Sequence, residues 1–536
     1  MKSLAPRSAS LLRNLLSKRL EQKLPPNLQV NGATVLSPKS PSLQGLFSSA
    51  ANILWHSAKD SSHGPLALPT RSEALVGAWG SRCAAAFRPS FSPNYVPLAT
   101  RGVQTSPPPG PTSFPVASPG KRRPVVAVGM SGGVDSAVSA LLLQRAGYEV
   151  VGLFMRNWDA QEEDDAGQCS ADQDLKDAKQ ACAHLGIPLH EVDFVRRYWT
   201  DVFEQFVAEC ARGLTPNPDL PCNRHIKFDA LLHHALAQGA DLLATGHYAR
   251  LDSEGEGGAR RLLRGKDPTK DQSYFLAQVE SAPLERVLFP VGGSLKSEVR
   301  QLATDAGLLV ANKRSSRGIC FLGKRRFERF IAQYVPLQPG PFVNVGDGRP
   351  VGTHGGLAAY TNGQRARIGG SALPWFVVGK SVGDNAVFVA RGEDHPALYS
   401  DTALVAPLFW VTGRPPRELL DGREMVCSYK ARYVQRMGEC TVRLVEGRAG
   451  MRSCRGFEKS SFSRVDIPEL AEKEGAVHKR LLVRFKESER ALTPRQALVL
   501  YDGDVCLGGG LLAHPGRTKY EMGESKEVDV LEQAAA

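Results

Sequence analysis

Gly129-Met130-Ser131-Gly132-Gly133-Val134-Asp135-Ser136 decides the fold, because its glycines join an apolar strand to a helix through a backbone able to wrap a phosphate. The preceding Val125 to Val128 indicates a buried strand, and a helix is expected from Ser136 to Ala146, ended by Gly147. The N–H groups of the turn and the helix N-terminus would then converge on one anion. A glycine turn before a helix is also common as a plain tight connection, so the turn by itself leaves both interpretations open.

The complete pattern of the loop narrows this choice. Ser-Gly-Gly-x-Asp-Ser, from Ser131 to Ser136, resembles the pyrophosphate loop of the ATP pyrophosphatase superfamily, whose members adenylate a carbonyl oxygen and release pyrophosphate. The chain has no Gly-x-x-x-x-Gly-Lys-Ser/Thr motif, which disfavours transfer of a γ-phosphate by a P-loop enzyme. The resemblance implies an adenylating enzyme that uses ATP, and it leaves the acceptor open.

Strands and helices alternate around this loop, from about residue 121 to 250. Beyond the two elements named above, the pattern predicts strands at Val150 to Met155, Leu189 to Asp193 and Asp241 to Thr245, a helix from Asp172 to Leu185, and two longer helices. Such alternation is typical of an α/β fold with a doubly wound parallel sheet, in which ligands bind beyond the carboxyl ends of the strands. The glycine loop lies at one of these ends.

The sequence changes after about Lys324 to short β-type runs separated by glycines, such as Trp375 to Val378. Polar residues without periodicity predict an insertion loop at 451–478, and the residues after Met522 predict a loose tail. The predicted organisation is a leader at 1–120, a catalytic domain at 121–325, a small linking domain at 326–405 and a β-barrel-like domain at 406–536.

The charge of the chain is concentrated in its first 120 residues. The formal net charge is +12, yet twelve Lys and Arg residues against three acidic residues stand in this leader alone. Any RNA contact of the remaining chain must therefore come from local basic patches. Leucines among basic residues at the start of the leader predict import into the mitochondrial matrix, while its long Ser/Pro-rich remainder leaves a plastid or dual address open, as it does a disordered tail without an address.

The composition excludes several other classes of protein. No apolar run approaches the length that crosses a membrane, so no membrane partner is expected. The ten cysteines include no Cys-x-x-Cys pair, which leaves a structural zinc site or a disulfide framework poorly supported. The chain is long enough for two or three domains.

Two of the cysteines stand in sequence contexts that favour reactivity. Cys222 ends a proline-rich loop before a helix expected to begin near Arg224, and a thiol at a helix N-terminus gains thiolate character. Cys320 stands among Arg314, Arg317, Arg325 and Arg326, whose positive field lowers the pKa of a thiol. Each could instead be an ordinary buried cysteine. Asp219, close to Cys222, is a candidate proton relay.

Five separated motifs occur in the order of one family. The chain resembles the tRNA-uridine 2-sulfurtransferases, and within them the mitochondrial branch, from about residue 124 to 515. Each motif is moderate or weak alone, whereas their joint occurrence is specific. They are the glycine loop, Asn217-Pro218-Asp219-x-x-Cys222-Asn223, Gly246-His247-Tyr248, Lys270-Asp271-Gln272 and Gly318-x-Cys320-Phe321.

The resemblance implies roles for individual residues, carried over motif by motif. ATP would be held by Gly129, Met130, Ser131, Gly132, Gly133, Val134, Asp135, Ser136, Met155 and Gly246. Asp135 would lie near the pyrophosphate and a Mg²⁺ ion, for which no protein ligand set is predicted. Asn217, Pro218 and Asp219 would meet the target base, and Lys270, Asp271, Gln272, Arg432 and Tyr433 would touch tRNA.

The reaction that the resemblance implies is ATP-dependent 2-thiolation of the wobble uridine (U34) of the tRNAs for Lys, Glu and Gln. Cys320 would carry a persulfide and Cys222 would resolve it, leaving a disulfide to be reduced before the next round. The sulfur would come from a donor such as a cysteine desulfurase or a persulfide carrier. Two alternatives remain at this point, another pyrophosphate-loop adenylating enzyme and a non-catalytic tRNA-binding protein on the same fold.

Overall fold

The structure, a computed structural model, describes residues 122–158, 170–253, 255, 259–314, 319, 321–323, 325–448, 458–465 and 477–523. The predicted leader, most of the predicted insertion, and Cys320 lie outside the described residues. The strands are β1 Val125–Gly129, β2 Glu149–Arg156, β3 Leu189–Asp193, β4 Leu242–Thr245, β5 Ala249–Asp252, β6 Arg261–Arg264, β7 Val287–Leu288, β8 Gly340–Asn344, β9 Pro350–His354, β10 Trp375–Ser381, β11 Ala386–Arg391, β12 Tyr399–Trp410, β13 Met425–Lys430, β14 Gly438–Arg448, β15 Ser463–Arg464, β16 Val477–Arg490, β17 Ala497–Asp502 and β18 Val505–Pro515.

Helices alternate with the first strands and become rare after β7. They are α1 Val134–Arg145, α2 Ser170–Leu185, α3 Val195–Tyr198, α4 Glu204–Ala211, α5 Asp219–Pro221, α6 Leu232–Ala237, α7 Ser273–Leu276, α8 Ser281–Leu284, α9 Lys296–Asp305, α10 Phe327–Ile331 and α11 Arg417–Leu420. Wider π-helical turns at Trp199–Phe203 and Cys222–Leu231 join α3 to α4 and α5 to α6, and short 3₁₀ turns lie at Leu309–Asn312, Leu357–Ala359 and Pro396–Leu398.

A parallel sheet with the strand order β3-β2-β1-β4-β7 organises the first domain. Val126 and Val128 face the core formed with α1, whereas Ala127 faces the core on the other side of the sheet. This alternation follows from the period of two along a strand, and full burial of each such valine contributes about 1.5–3 kcal/mol. The predicted doubly wound α/β sheet is confirmed, and the glycine loop leaves β1 beside β4, where the order of the strands reverses.

A smaller sheet with the strand order β15-β10-β11-β8-β9 follows. Its first strand comes from the predicted insertion loop 451–478, since Ser463–Arg464 pairs in parallel with the end of β10. Phe462 packs its ring 5.5 Å from that of Phe388, which fixes this segment on the sheet. A strand of two residues is too short to show periodicity, so the sequence pattern could not separate it from a loop.

Six strands then close a barrel in the order β12-β16-β14-β13-β17-β18, with β12 pairing back onto β18. The barrel begins at Tyr399, inside the segment predicted to be the linking domain, and β16 begins at Val477, inside the predicted insertion. At Gly509 a Cβ would lie 2.1 Å from the carbonyl oxygen of Leu498, so β18 can bend there only with glycine. The β5–β6 hairpin of the first domain extends this sheet through β18.

None of the helices in the described ranges has the length and apolarity that a crossing of the bilayer requires.

Candidate active site

The glycine loop is preformed by its own hydrogen bonds. Gly132 has φ +70°, and a Cβ there would lie 2.1 Å from the carbonyl oxygen of Asp174, so the turn requires glycine. The Ser136 hydroxyl accepts a hydrogen bond from the N–H of Ser131 at 3.2 Å and donates to the carbonyl of Gly133 at 3.1 Å. No side chain caps α1 at Gly133, so the first N–H groups of this helix keep their capacity to bind an anion.

Two lysines reach this loop from much later in the chain. Lys296 lies 2.5 Å from the Asp135 carboxylate, which also accepts a hydrogen bond from the Tyr248 hydroxyl at 2.8 Å. Lys313 donates to the Gly132 carbonyl at 2.9 Å. Burial and the Asp135 carboxylate raise the pKa of Tyr248, so its hydroxyl stays a donor at neutral pH. The loop is therefore contacted by two lysine ammonium groups, each of which is also paired with a carboxylate.

Lys313 also stabilises the junction between the loop and helix α2. Its ammonium contacts the carboxylates of Asp174, at 2.7 Å, and Asp177. Burial lowers its pKa, and the two carboxylates outweigh that effect, so the net shift is upward and the side chain stays charged.

Strand ends bring the remaining predicted ATP residues to the same edge of the sheet. Met130 leaves β1, Met155 lies in β2, and Gly246 directly follows β4, and these three strands are neighbours. A Cβ at Gly246 would lie 2.8 Å from backbone atoms of Asp135 and Ser136. Glycine is therefore required there for β4 to approach the start of α1, and the predicted ATP residues lie at one edge of the sheet.

Cys222 lies in a different environment, a cluster of aromatic side chains. The residue is 5 % exposed and shares the cluster with Phe203, Phe206 and Phe321. Phe203 and Phe321 stand edge to face with ring centroids 5.1 Å apart. Phe321 immediately follows Cys320, whose own position lies outside the described residues. The fold thus brings the segments of the two cysteines, far apart in sequence, into one buried cluster.

The helix that carries Cys222 begins earlier than expected. It starts at Asp219 rather than near Arg224, because the Asn217 side chain accepts the N–H of Asp219 at 3.0 Å and Pro218 has a helical backbone. The prediction that Cys222 precedes the helix is therefore wrong, since the thiol lies inside the first turns. The thiol is therefore a buried group within the helix and not a group at its N-terminus.

Asp219, three residues before this thiol, and His247, which lies beside Lys227, have shifted pKa values. Burial raises the pKa of the half-buried Asp219, and the nearby Lys227 only partly opposes that shift. Burial and Lys227 hold the pKa of His247 well below its usual value, and its Nδ1 shares a 2.8 Å hydrogen bond with the Thr245 hydroxyl. At neutral pH His247 is uncharged, and Asp219 holds a proton more readily than a carboxylate in water.

The predicted tRNA contacts fall into exposed and buried groups. Arg432 pairs with Glu489 at 2.5 Å while part of its side chain stays exposed, and the ring of Tyr433 lies 4.5 Å from that of Phe275. Asp271 is different, because its side chain is fully buried between Arg264, at 3.5 Å, and Lys430, at 3.4 Å. Asp271 thus has no surface left for RNA in this conformation.

The segment around Asp271 joins three parts of the molecule. The Gln272 side chain accepts the N–H of Tyr248, whose hydroxyl reaches Asp135 of the loop. The Phe275 carbonyl accepts a hydrogen bond from Asn223 at 2.9 Å, directly beside Cys222. Tyr433, from the barrel, places its hydroxyl 3.5 Å from the Lys270 carbonyl. The three predicted sites are therefore in contact through residues 270–276.

Within the described residues, no three His, Cys, Asp or Glu side chains form a group able to hold a metal ion. Asp135 is the carboxylate of the loop, and Mg²⁺ bound with phosphates often needs only one or two such ligands.

Comparison with known proteins decides the family. Profiles described as a tRNA methyl transferase HUP domain, a tRNA methyl transferase PRC-barrel domain and an aminomethyltransferase β-barrel domain match residues 124–324, 328–391 and 471–512. The chain is 45 % identical over 391 residues to the tRNA-specific 2-thiouridylase MnmA of Halalkalibacterium halodurans, covering 73 % of this chain and 94 % of that protein. The MnmA of Bacillus subtilis strain 168 is also 45 % identical, covering 72 % and 94 %.

The chain belongs to the tRNA-specific 2-thiouridylase family. This enzyme is accordingly a tRNA sulfurtransferase of the ATP-using HUP fold. A crystal structure of a 4-thiouridine synthetase–RNA complex with bound ATP matches 40 % of the chain and 50 % of its own, at 15 % identity and a TM-score of 0.25, a likeness too low to carry an argument.

The structure of this 2-thiouridylase adds residues that the sequence did not single out. Lys296 and Lys313 stand 161 and 181 positions from their partners in the loop, and no motif surrounds them. Asn223 and Tyr248 stand inside recognised motifs, so those motifs could have suggested a role for them. The link from Asn223 to Phe275 depends on tertiary contact and carries no sequence signal.

Proposed function

We propose that this enzyme thiolates C2 of the wobble uridine (U34) in the tRNAs for Lys, Glu and Gln, by adenylation of the C2 oxygen and sulfur delivery from a cysteine persulfide. The observation that carries the proposal is the shared aromatic cluster of Cys222 and Phe321, the neighbour of Cys320. Two thiols can exchange sulfur only when their segments meet, and this cluster brings those segments together.

The glycine loop is proposed to bind the phosphates of ATP. The exposed Ser131, the uncapped N–H groups of α1, and the ammonium groups of Lys296 and Lys313 converge there, and positive groups stabilise the charge of departing pyrophosphate. The C2 oxygen of uridine is a poor leaving group until it attacks the α-phosphorus of ATP and displaces pyrophosphate, so that it can later leave C2 as part of AMP. Adenylation therefore precedes attack by sulfur.

Mg²⁺ fits this loop as an ion shared with the phosphates. Asp135 is the residue that would hold it, although its carboxylate now contacts Lys296 and Tyr248. The ion would supply charge neutralisation for the phosphates.

The sulfur step is proposed to begin with a persulfide on Cys320. Its terminal sulfur bonds to C2, the Cys222 thiolate then attacks the bridging sulfur of Cys320, and the S–S electron pair moves to the sulfur on C2 as AMP leaves. The products are 2-thiouridine, AMP and a Cys222–Cys320 disulfide, which a dithiol reductant restores. Asp219, half-buried and with a raised pKa, is the proposed proton relay.

The tRNA is proposed to bind across the first domain and the barrel. Asn217, Pro218 and Asp219 would meet the flipped base, while Lys270, Arg432 and Tyr433 would contact the anticodon stem-loop by phosphate contact and stacking. Asp271 and Gln272 are assigned instead to holding that surface in place, because their polar groups already bind protein partners.

The test incubates the full chain with ATP, Mg²⁺, a persulfide donor and unmodified tRNA-Lys, followed by nucleoside mass spectrometry for 2-thiouridine. We expect thiolation by the wild type and its loss in Cys222→Ser and Cys320→Ser, with adenylation retained in both. Cys182→Ala is the matched control, because Cys182 is buried in the core on the other side of the sheet.

Either of two results would contradict the proposal. If the enzyme consumed ATP without thiolating the tRNA, it would be an adenylating enzyme with a different acceptor. If Cys320→Ser kept its thiolation activity, Cys320 would not carry the persulfide. Parallel reactions with tRNAs for other amino acids test the choice of substrate.

We further propose a mitochondrial matrix location, on the basis of the acid-poor leader alone. Import of the labelled full chain into isolated mitochondria, with isolated plastids as the second arm, tests the address. Uptake by plastids alone would refute it.

A further inference from the structure

A buried lysine without a counter-charge marks the junction of the three domains. Lys380, in β10 of the linking domain, is 5 % exposed. Its ammonium donates to the Leu357 carbonyl at 3.2 Å and to the Thr215 hydroxyl at 3.4 Å. Among the described residues, no carboxylate lies within ion-pair distance of it. An ammonium taken out of water without an anion is strongly destabilised, so its surroundings are informative.

The lysine lines a small cavity built from all three domains. The cavity is small and partly open to solvent. Leu214 and Thr215 come from the first domain, Lys380 from the linking sheet, and Thr493 from the barrel. No single domain forms the site alone.

A second polar group in this cavity has unused hydrogen-bonding capacity. Ser463, in β15, is directly opposite Lys380 in the strand register and is 3 % exposed. Its hydroxyl has no hydrogen-bond partner among the described residues. Two neighbouring buried donors, one of them cationic, therefore line the same cavity and leave hydrogen-bonding capacity unused.

Nearby charges do not supply the missing anion. Glu209 pairs with Arg495, so that buried pair is neutral overall. Two further titratable neighbours, Cys210 and His354, carry no negative charge. Burial raises the pKa of the Cys210 thiol to about 12, and burial together with the Lys380 charge lowers the pKa of His354. Burial lowers the pKa of Lys380 to about 8, a further sign that its charge is uncompensated.

We propose that this cavity binds one small monovalent anion of halide size, held by the Lys380 ammonium and the Ser463 and Thr215 hydroxyls. An anion there would neutralise the lysine and bind all three domains at a single point. Thr215 lies two residues before Asn217, so the anion would also fix the start of the segment that carries Asp219 and Cys222. Because the cavity is small, a halide fits it better than a larger oxyanion does.

The test measures the melting temperature of the intact protein in chloride or bromide against gluconate, at constant ionic strength and at pH 7, where the lysine is charged. We expect a saturable rise of about 2 °C or more with the halides. Crystals soaked in bromide should show an anomalous peak within hydrogen-bond distance of Lys380 Nζ. Lys380→Met should lose both effects, whereas Lys266→Met, an exposed lysine, should keep them.

Ser463→Ala provides a second variant in case Lys380→Met fails to fold. It removes one donor and keeps the ammonium, so the halide concentration for half-maximal stabilisation should rise several-fold. Three results would overturn the proposal. They are no bromide peak, a peak without saturable stabilisation in solution (an adventitious ion only), and an unchanged halide dependence in Ser463→Ala.

Discussion

The glycine loop and the proposed sulfur site, the aromatic cluster around Cys222, are built from opposite kinds of side chain. The loop is polar and is contacted by the ion pairs of Lys296 and Lys313. The sulfur site is aromatic, and Cys222 is 5 % exposed within it. One site thus has fixed charges in place before ATP arrives, and the other keeps a thiol in apolar surroundings.

This difference suits the two steps of the proposed reaction. Departing pyrophosphate carries charge from the start, so preorganised cations stabilise it without rearrangement. A persulfide must be kept from water and from unintended thiols until the base arrives, so burial protects it. We therefore expect substitutions at the two sites to separate adenylation from thiolation.

The largest expected effect comes from removing a fixed cation from the loop. Lys296→Met should lower kcat/KM for ATP about 10²-fold or more, because one preorganised donor to a developing charge is commonly worth that much. The measurement is pyrophosphate release at varied ATP. Lys266→Met is the matched control, since this lysine forms only an exposed ion pair 3.5 Å from Glu298.

The proposed division between the two sites is wrong if Lys296→Met releases pyrophosphate at the wild-type rate and loses only thiolation. That result would place Lys296 in the sulfur step and would mean that the two sites share their charged groups.

The next effect concerns Asp219, the titratable group of the sulfur site. Asp219→Asn should lower the thiolation rate by about 10²-fold if the carboxylate moves a proton, while adenylation stays near the wild-type rate. The wild-type rate should rise with pH through the raised pKa of this group, and the variant should lose that limb. Single-turnover thiolation across pH measures both effects.

The thermal stability of the same variant provides an independent test. A carboxyl group whose pKa is raised on folding destabilises the folded state at pH values above its unfolded pKa, because the folded site disfavours the ionised form. Asp219→Asn removes this cost, so its melting temperature at pH 7 should equal or exceed that of the wild type. A less stable variant that keeps its thiolation rate would make Asp219 structural.

The loop was predictable from sequence because all its requirements are local. A strand, three glycines and a helix follow one another, and the structure places α1 within two residues of the expected start. Lys296 and Lys313 could not be predicted, because their positions depend on how α9 and the following turn pack against α1. The burial of Asp271 could not be predicted either. Its polar neighbours in sequence suggest an exposed residue, whereas Lys430 of the barrel packs against its side chain.

The sulfur site was predictable only in part. The motifs identified Cys222 as a candidate. The predicted start of its helix was wrong, because the Asn217 side chain and the helical backbone of Pro218 start the helix earlier. The meeting of the Cys222 and Phe321 segments is a property of the packed core. Hydrophobic residues indicate that each segment is buried, and only the fold decides that they share one cluster.

A smaller effect tests the shape of the loop. Gly246→Ala would place a Cβ 2.8 Å from the backbone of Asp135 and Ser136, so the loop must shift. We expect about a 10-fold rise in KM for ATP and a loss of about 1–3 kcal/mol in the free energy of unfolding. Gly383→Ala is the control, because a Cβ there meets no atom within 4 Å. An unchanged KM would show that β4 does not shape the loop.

The smallest effect tests whether the packing of the barrel on the first domain affects thiolation alone and leaves ATP binding unchanged. Tyr433 packs on Phe275, whose carbonyl binds Asn223 beside Cys222, so Tyr433→Ala should slow thiolation and weaken tRNA binding by several-fold, in line with about 0.5–1.5 kcal/mol for an aromatic pair. Tyr433→Phe keeps the ring and loses only a 3.5 Å contact, so it should behave as wild type. Both tRNA affinities must be measured at one salt concentration.

The contrary outcome is a rise in KM for ATP in Tyr433→Ala as well. The hydrogen bonds from Gln272 to Tyr248 and from Tyr248 to Asp135 would then couple the barrel contact to the loop, and the two sites would not be independent.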